Sequence, residues 1–307
     1  MSKKQTSQKQ EKSTVPKEII SIEVPWYDLN NYKKYSIKFR FGISILVFLV
    51  GFLLYSNTIN HGYVLDDSGV IKDNVNVQKG IKGIPDILKM DLWELSDVKL
   101  GYYRPLSLIT FAIEKEYFGN APHVSHFNNV LLFAFSGMVL FWVLQLLFGK
   151  YNRWIPLLAT FLFLAHPIHT EVVANIKSRD EILSFLNLFL VLFFVLKHIQ
   201  TRNWLWLIPT FVFAYLGMLS KETALTGLLL VPILFYIFNK SSIPQSILKS
   251  IPIALAIFFF FVQKKMALGT LSAVIPNDIV NYPYTTPHVE GSFKIATAFY
   301  LFAHGII

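Results

Sequence analysis

The run FGISILVFLVGFLLYSNTI at residues 41–59, followed at once by NHGYVLDDSG at 60–69, decides the fold. The first stretch carries no charged residue and is close to the ~20 residues that span a bilayer core as a helix. The second is where the chain meets water, and it presents two adjacent carboxylates, Asp66 and Asp67. An ionisable pair at a membrane boundary is a candidate site. Successive residues of an extended chain point in different directions, so one carboxylate can take a proton while the other binds a cation or orients a substrate. The plainer reading is an acidic turn, because Asp, Ser and Gly are turn formers.

Working outward, the whole chain has the same character. Hydrophobic residues make up 53 % and charged residues 15 %, and the mean hydropathy is +0.47, too apolar for a soluble chain of 307 residues with one ordinary core. The sequence therefore reads as an integral, multi-pass membrane protein in contact with membrane lipid. Further apolar segments follow at about 127–148, 154–170, 182–196, 204–219, 223–239 and 249–263. A last one opens near 294 and is still running at Ile307, so the chain reads as truncated at its C-terminus. Several segments are short and closely spaced, as in tightly packed helices with brief turns, some tilted or partly re-entrant. The expected fold is all-α: a polytopic transmembrane helix bundle over 41–307.

Between the first two segments lies a long polar connection, 60–125. Within it Ile81, Ile84, Leu88, Leu92 and Leu95 recur at three- and four-residue intervals, which predicts an amphipathic helix lying on the membrane surface. Pro85 suits the first turn of that helix.

The net charge of +9 is unevenly placed. Nine Lys and Arg residues fall within positions 1–40, which reads as a disordered basic tail on the cytoplasmic face and not as a nucleic-acid surface. Lys150 with Arg153, Lys197 with Arg202, and Lys240 with Lys249 fall in alternate short loops on the side of that tail. By the positive-inside rule those loops are cytoplasmic. The connections 60–125, 166–181, 220–222 and 264–293 then open on the extracytoplasmic face, and they hold nearly every unusual polar cluster. With Cys absent, disulfides and thiolate metal sites are excluded. No phosphate-loop, dinucleotide, zincin or serine-hydrolase motif occurs.

Each polar cluster has a chemical and a structural reading. Arg104, in Tyr102-Tyr103-Arg104-Pro105, offers a planar fork for phosphate oxygens, but a lone interfacial Arg also serves structure. His126 and Asn129 lie one turn apart and can share a helix face, while Ser125 suits an N-cap. His166, His169 and Glu171, with Lys177, Arg179, Asp180 and Glu181 just beyond, form the densest polar stretch. Pro167 interrupts the one-turn spacing that a helical metal site uses, which favours phosphate or sugar binding over metal. Lys177 and Glu181 at i, i+4 also make a ready structural ion pair. Lys221 can reach a phosphate as a point charge, or snorkel and pair with Glu222.

Taken in order, Gly62-Tyr-Val-Leu-Asp-Asp67, Tyr103-Arg-Pro-Leu106, His126-Phe-Asn-Asn129, His166-Pro-Ile-His-Thr-Glu171 with Ser178-Arg-Asp180, and Ser220-Lys-Glu222 resemble the GT-C superfamily of polyprenyl-phosphate-dependent glycosyltransferases. The likeness is strongest to the membrane part of the transmembrane and tetratricopeptide-repeat O-mannosyltransferases. That resemblance implies a sugar, with mannose as the candidate, moved from a polyprenyl-phosphate donor to a protein or envelope-glycan hydroxyl on the extracytoplasmic face. It implies Asp66 or Asp67 as base and Arg104, Arg179 and Lys221 as partners of the lipid phosphate. His126, His166, His169, Glu171, Asp180 and Glu222 would line the substrate site. No cofactor is fixed, and a divalent cation, Mg or Mn, is the candidate. The Lys-, Phe- and Asn-rich composition points to a bacterial inner membrane. The competing reading is a non-catalytic scaffold or transporter-like protein, or an inactive fragment of such an enzyme.

Overall fold

A computed structural model describes residues 37–94, 100–148, 151–152 and 154–272, together with Ala296. The expected tail up to residue 36, Leu95, the loop cations Lys150 and Arg153, and all but Ala296 of the connection and apolar segment after 272 lie outside the described residues.

Twelve α-helices occur among the described residues, and no strand. They are α1 Ile37–Tyr55, α2 Val75–Gln78, α3 Ile84–Ile87, α4 Pro105–Phe118, α5 Pro122–Phe148 and α6 Trp154–Leu164. After these come α7 His169–Ala174, α8 Arg179–Thr201, α9 Leu207–Ser220, α10 Gly227–Phe238, α11 Ile243–Lys249 and α12 Ile251–Leu268. The helix expected from Phe41 begins four residues earlier. Four stretches are long and apolar enough to cross a membrane: Arg40–Asn60, Pro122–Phe148, Arg179–Thr201 and Ile251–Leu268. Trp154–Ala165, Trp204–Ser220 and Glu222–Phe238 are shorter apolar helices. The protein is an all-α integral membrane bundle.

α5 lies between α1 and α8, α8 packs along α9, and α12 closes on α9. Around α8, α9, α10 and α12 the core is built from Val195, Leu196, Met218, Val231, Phe235 and Phe260. A second core joins α1, α5 and α6 through Val47, Val130, Phe133 and Leu164. In lipid, helices associate through close packing, which favours small residues where they cross. A Cβ at Gly51 of α1 would sit 3.2 Å from the Ala134 Cα, and one at Gly137 of α5 would meet Leu164 at 2.6 Å. The crossing of α1, α5 and α6 thus depends on those two glycines.

The first connection departs from expectation. In place of one amphipathic helix over 81–95 there are short turns: a 3-10 turn Gly80–Gly83, then α3, which ends at Ile87. Gly80 sits at φ +64°, a backbone shape that breaks a helix, and Glu116 of α4 binds the next amide, Ile81 N to Oε2 at 3.1 Å. The chain then turns again at Asp91, which accepts hydrogen bonds from the amides of Trp93 and Tyr102. Leu92, with Ile87, packs inward with Val70, Ile71 and Val77 on Leu108 and Phe111 of α4, and Ile84 packs against the same core, whereas Ile81 stays exposed. Because α4 fell inside the supposed loop, its covering face was not visible as a partner. Pro85 does stand in the first turn of α3.

A Cβ at Gly83 would run into the backbone carbonyl of Asn76, which Asn74 fixes by capping α2 through Asn76 N and Val77 N, both at 3.1 Å. A carbonyl held this way cannot move aside as a flexible side chain can. Gly83→Ala is therefore expected to destabilise the protein by about 1–3 kcal/mol. Thermal unfolding of the detergent-solubilised protein checks this, and an unchanged midpoint would count against the packing described.

Candidate functional site

The acidic pair is split by the backbone. Leu65 has φ +45°, a strained value for a bulky residue, and this reversal sends Asp66 to solvent while Asp67 turns fully inward. Asp67 accepts two backbone hydrogen bonds, from Val64 N at 3.0 Å and from Lys177 N at 2.8 Å. It therefore staples the first connection to the turn that opens α8. His126 on α5 holds the same connection, its Nε2 lying 3.2 Å from the Gly62 carbonyl. His126 is fully buried, and its Nδ1 has no partner among the described residues.

Arg179 is the largest of the fully buried side chains. It is 1 % exposed, and each of its five N–H groups finds an acceptor. Nε donates to Asn129 Oδ1 at 2.7 Å. Nη1 donates to Thr110 Oγ1 at 3.0 Å and to Glu114 Oε1, and Nη2 to Glu114 Oε2 at 3.3 Å and the Ser125 carbonyl at 2.9 Å. Phe111 lies beneath the guanidinium, with Cζ 4.3 Å from the ring centroid. Glu114, itself buried, also accepts from Ser125 Oγ and from Asn128 Nδ2 at 2.6 Å. Of the three cations that the resemblance assigns to a lipid phosphate, Arg179 has its donors engaged inside the fold, where it locks α4, α5 and α8 together. Ser125 binds Glu114 from within a helix that starts at Pro122, so it is not an N-cap.

One turn nearer solvent lies an ion network. Arg104 reaches Asp180 at 2.9 Å and Glu222 at 3.0 Å, Lys177 reaches Asp180 at 3.6 Å, and Lys264 of α12 stands 4.0 Å from Glu222. Lys221 pairs with Glu181 at 2.6 Å. Neither local pair suggested by sequence spacing forms: Lys177 takes Asp180 rather than Glu181, and Lys221 takes Glu181 rather than Glu222. Lys177 finds its partner three residues on, whereas tertiary packing brings Glu181 of α8 to Lys221. Burial pulls the Arg104 guanidinium down, but Glu222 and then Asp180 more than offset it, so it stays above its ordinary range and fully charged. In the network four cations face three carboxylates, and Lys177 and Lys221 keep 15 % and 19 % of their side chains exposed. An excess of positive charge with open edges suits an anionic group.

The histidines occupy a separate niche. His169 lies against Phe163 and Phe133, with ring centroids 4.4 and 5.4 Å away, and lines a cavity of about 200 Å³ with Ser136, Ile168 and Glu181. Burial, then the charge of His166, lowers its pKa below 6.5. His166 and Glu171 are exposed, and neither joins the ion network. Among the described residues no three His, Asp or Glu side chains converge as a metal site.

Structure thus joins Arg104, Asp180 and Glu222 in one ion network with Lys221 beside it, ties Asp67 to the Lys177 amide, leaves Asp66 exposed on the same turn as Asp67, engages Arg179 and His126 in holding the helices and the first connection, and leaves His166 and Glu171 outside the network. Sequence reasoning missed Glu114, Lys264 and Trp93, whose ring lies 5.8 Å from Lys177 Nζ. Glu114, the first charge after the apolar run PLSLITFAI, was the available signal, since a buried charge requires a partner.

Known proteins are similar in sequence to this chain. Residues 119–264 match the family model described as dolichyl-phosphate-mannose-protein mannosyltransferase. The chain is 34 % identical over 184 residues to the protein O-mannosyl-transferase Tmtc1 of Drosophila melanogaster, covering 59 % of this chain and 21 % of that protein. It is 31 % identical over 236 residues to tmtc2 of Xenopus laevis, covering 72 % and 27 % respectively, and 30 % identical over 210 residues to TMTC2 of Homo sapiens, covering 64 % and 24 %. The chain thus spans roughly a quarter of the length of these curated relatives. No solved structure matches it. These similarities bear out the resemblance to GT-C O-mannosyltransferases carried by the five motifs.

Two outcomes follow from the site. Glu114→Ala leaves Arg179 buried without its carboxylate, a change that costs about 3–5 kcal/mol, whereas Glu171→Ala on the exposed face shifts stability by less than about 0.5 kcal/mol; thermal unfolding compares them. Because the folded-state pKa of His169 lies below its unfolded value, the unfolded chain binds the extra proton, and stability falls as pH drops below 6.5. His169→Phe is expected to flatten that acid limb in a pH series of melting curves.

Proposed function

We propose that the chain forms the reacting site of a membrane glycosyltransferase, moving a sugar, with mannose as the candidate, from a polyprenyl-phosphate donor to a protein or envelope-glycan hydroxyl on the extracytoplasmic face. The observation that carries this reading is the pairing of an exposed Asp66, set by the buried Asp67, with a cluster richer in cations than in carboxylates at the mouth of α8. Asp66 takes the proton of the acceptor hydroxyl as its oxygen bonds to the anomeric carbon. The bond from that carbon to the phosphate oxygen breaks, and the lipid phosphate leaves with the electron pair. Lys177, Arg104 and Lys221 stabilise the added negative charge, an interaction stronger in the transition state than in the bound donor. A single displacement of this kind inverts the anomeric centre.

The rest of the donor has a matching place. A groove of about 630 Å³ between α9 and α12 is lined by Phe211, Phe259, Val262 and Met266, with Lys89 and Gln263 on its wall. It lies beside the network because Tyr103, next to Arg104, contacts Phe260 and donates its hydroxyl to the Leu88 carbonyl at 2.8 Å. Burial, then the nearby Tyr215, pushes the Tyr103 phenol up to about 12, so that it remains a neutral donor in this role. An isoprenoid tail suits such a wall. A transporter would distribute polar groups through its helices; here Asp and Glu between residues 60 and 272 occur only in the stretches 66–116, 171–181 and Glu222. By the positive-inside rule this acidic end is the extracytoplasmic one and the N-terminus is cytoplasmic.

Asp66→Asn is expected to lower transfer from a labelled polyprenyl-phosphate sugar by about 100-fold or more while leaving the melting temperature unchanged. Asp67→Asn should instead lower both, since it removes the staple to Lys177. Membranes carrying each variant provide the assay, and retained transfer in Asp66→Asn would remove the base from this reading.

A further inference from the structure

Lys177 joins the two halves of the proposed chemistry. Its amide donates to Asp67, the neighbour of Asp66, at 2.8 Å, and its ammonium stands 3.6 Å from Asp180, which also takes Arg104. A sugar ring that links Asp66 to the phosphate cations therefore lies along Lys177. An aromatic ring faces that side chain: the centroid of Trp93 is 5.8 Å from Lys177 Nζ. A cation sits on an aromatic face out to about 6 Å, so this ammonium meets the ring near that limit and does not cap it.

The backbone beneath Trp93 is fixed. Asp91 is fully buried and accepts the amide of Trp93 at 2.9 Å with one oxygen and the amide of Tyr102 at 2.8 Å with the other. Leu92 donates to the Tyr102 carbonyl at 2.8 Å, which completes the pairing of the two stretches. Trp93 is thereby set beside the strand that leads to Arg104, whose guanidinium carbon lies 5.1 Å from the Tyr102 ring. The indole packs on the core of the first connection and stays partly exposed at the edge of the ion network. It offers a broad apolar face next to a wet, charged cluster. A hexopyranose has the matching character, with C–H bonds on one face of its ring and hydroxyls around the rim. We propose that Trp93 is the platform on which the sugar of the donor lies, its C–H face on the indole and its hydroxyls toward water and the ion network. This inference rests on the proposed reaction and divides recognition of the donor: the cations hold the phosphate, and Trp93 distinguishes a lipid phosphate that carries a sugar from one that does not.

Equilibrium binding of two probes to the detergent-solubilised full chain, polyprenyl-phosphate mannose and sugar-free polyprenyl phosphate, tests the proposal. Trp93→Leu should weaken the mannose lipid about 10-fold while leaving the sugar-free lipid within about 2-fold, and Trp93→Phe, which keeps a ring, should hold the mannose lipid within about 3-fold. Hydroxyl-radical footprinting of the unaltered chain reads the same contact should the Leu variant fail to fold. Oxidation of Trp93 should fall several-fold on adding the mannose lipid and stay unchanged with the sugar-free one. Equal weakening of both lipids, undiminished binding of the mannose lipid by folded Trp93→Leu, or equal protection of Trp93 by the two lipids would each overturn this inference and leave the proposed reaction standing. Saturable binding of neither lipid to the unaltered chain would overturn the proposed reaction, and this inference with it.

Discussion

The fold at this end of the membrane depends on one buried ion pair, Arg179 with Glu114. Two charges in an apolar bundle are tolerable only if every donor and acceptor is satisfied, and here they are, by groups drawn from α4, α5 and α8. That requirement fixes the relative placement of the three helices more tightly than apolar contacts do, because a guanidinium accepts partners only along five directions. Arg179 opens α8, and the neighbouring side chains inherit its position. Asp180 meets Arg104, Glu181 meets Lys221, and the Lys177 amide meets Asp67.

The chemistry sits on this frame as a second layer. Asp67 and Asp66 are adjacent in sequence but different in role, because the strained turn at Leu65 buries one carboxylate as a staple and presents the other to solvent. On the proposed reading the supporting groups are inside and the reacting groups outside. The same division separates Arg179, with all donors engaged, from Lys177 and Lys221, whose ammonium groups remain partly open. A charge that holds helices together is poorly placed to receive a substrate phosphate, and one that receives it must be reachable.

Much of this was legible in the sequence. The apolar runs located α1, α5, α8, α9, α10 and α12 to within a few residues, since a lipid-exposed span must be apolar over its whole length. Arg104, Asp180, Lys221 and Glu222 were legible as polar residues between apolar runs, and Arg104 meets Asp180 and Glu222 in one ion network. The first connection was misjudged for a physical reason: three- and four-residue spacing of Ile and Leu is shared by a surface helix and by short turns folded onto a neighbour. Only the presence of α4 decides between them. The partners of Glu114 and Lys221 depend on which helices meet, and local spacing does not carry that information.

The central claim is that the open cations around Asp180 receive the phosphate of a lipid-linked sugar next to Asp66. The most direct measurement is photo-crosslinking of membranes carrying the protein with a polyprenyl-phosphate sugar analogue bearing a photoreactive group near the phosphate, followed by peptide mapping. The account predicts labelling at the turn 175–181, the segment 220–222 and the stretch around Arg104, competed away by unlabelled donor. Labelling confined to the opposite end, in the loops near residues 151–152, 202 and 240, would contradict it.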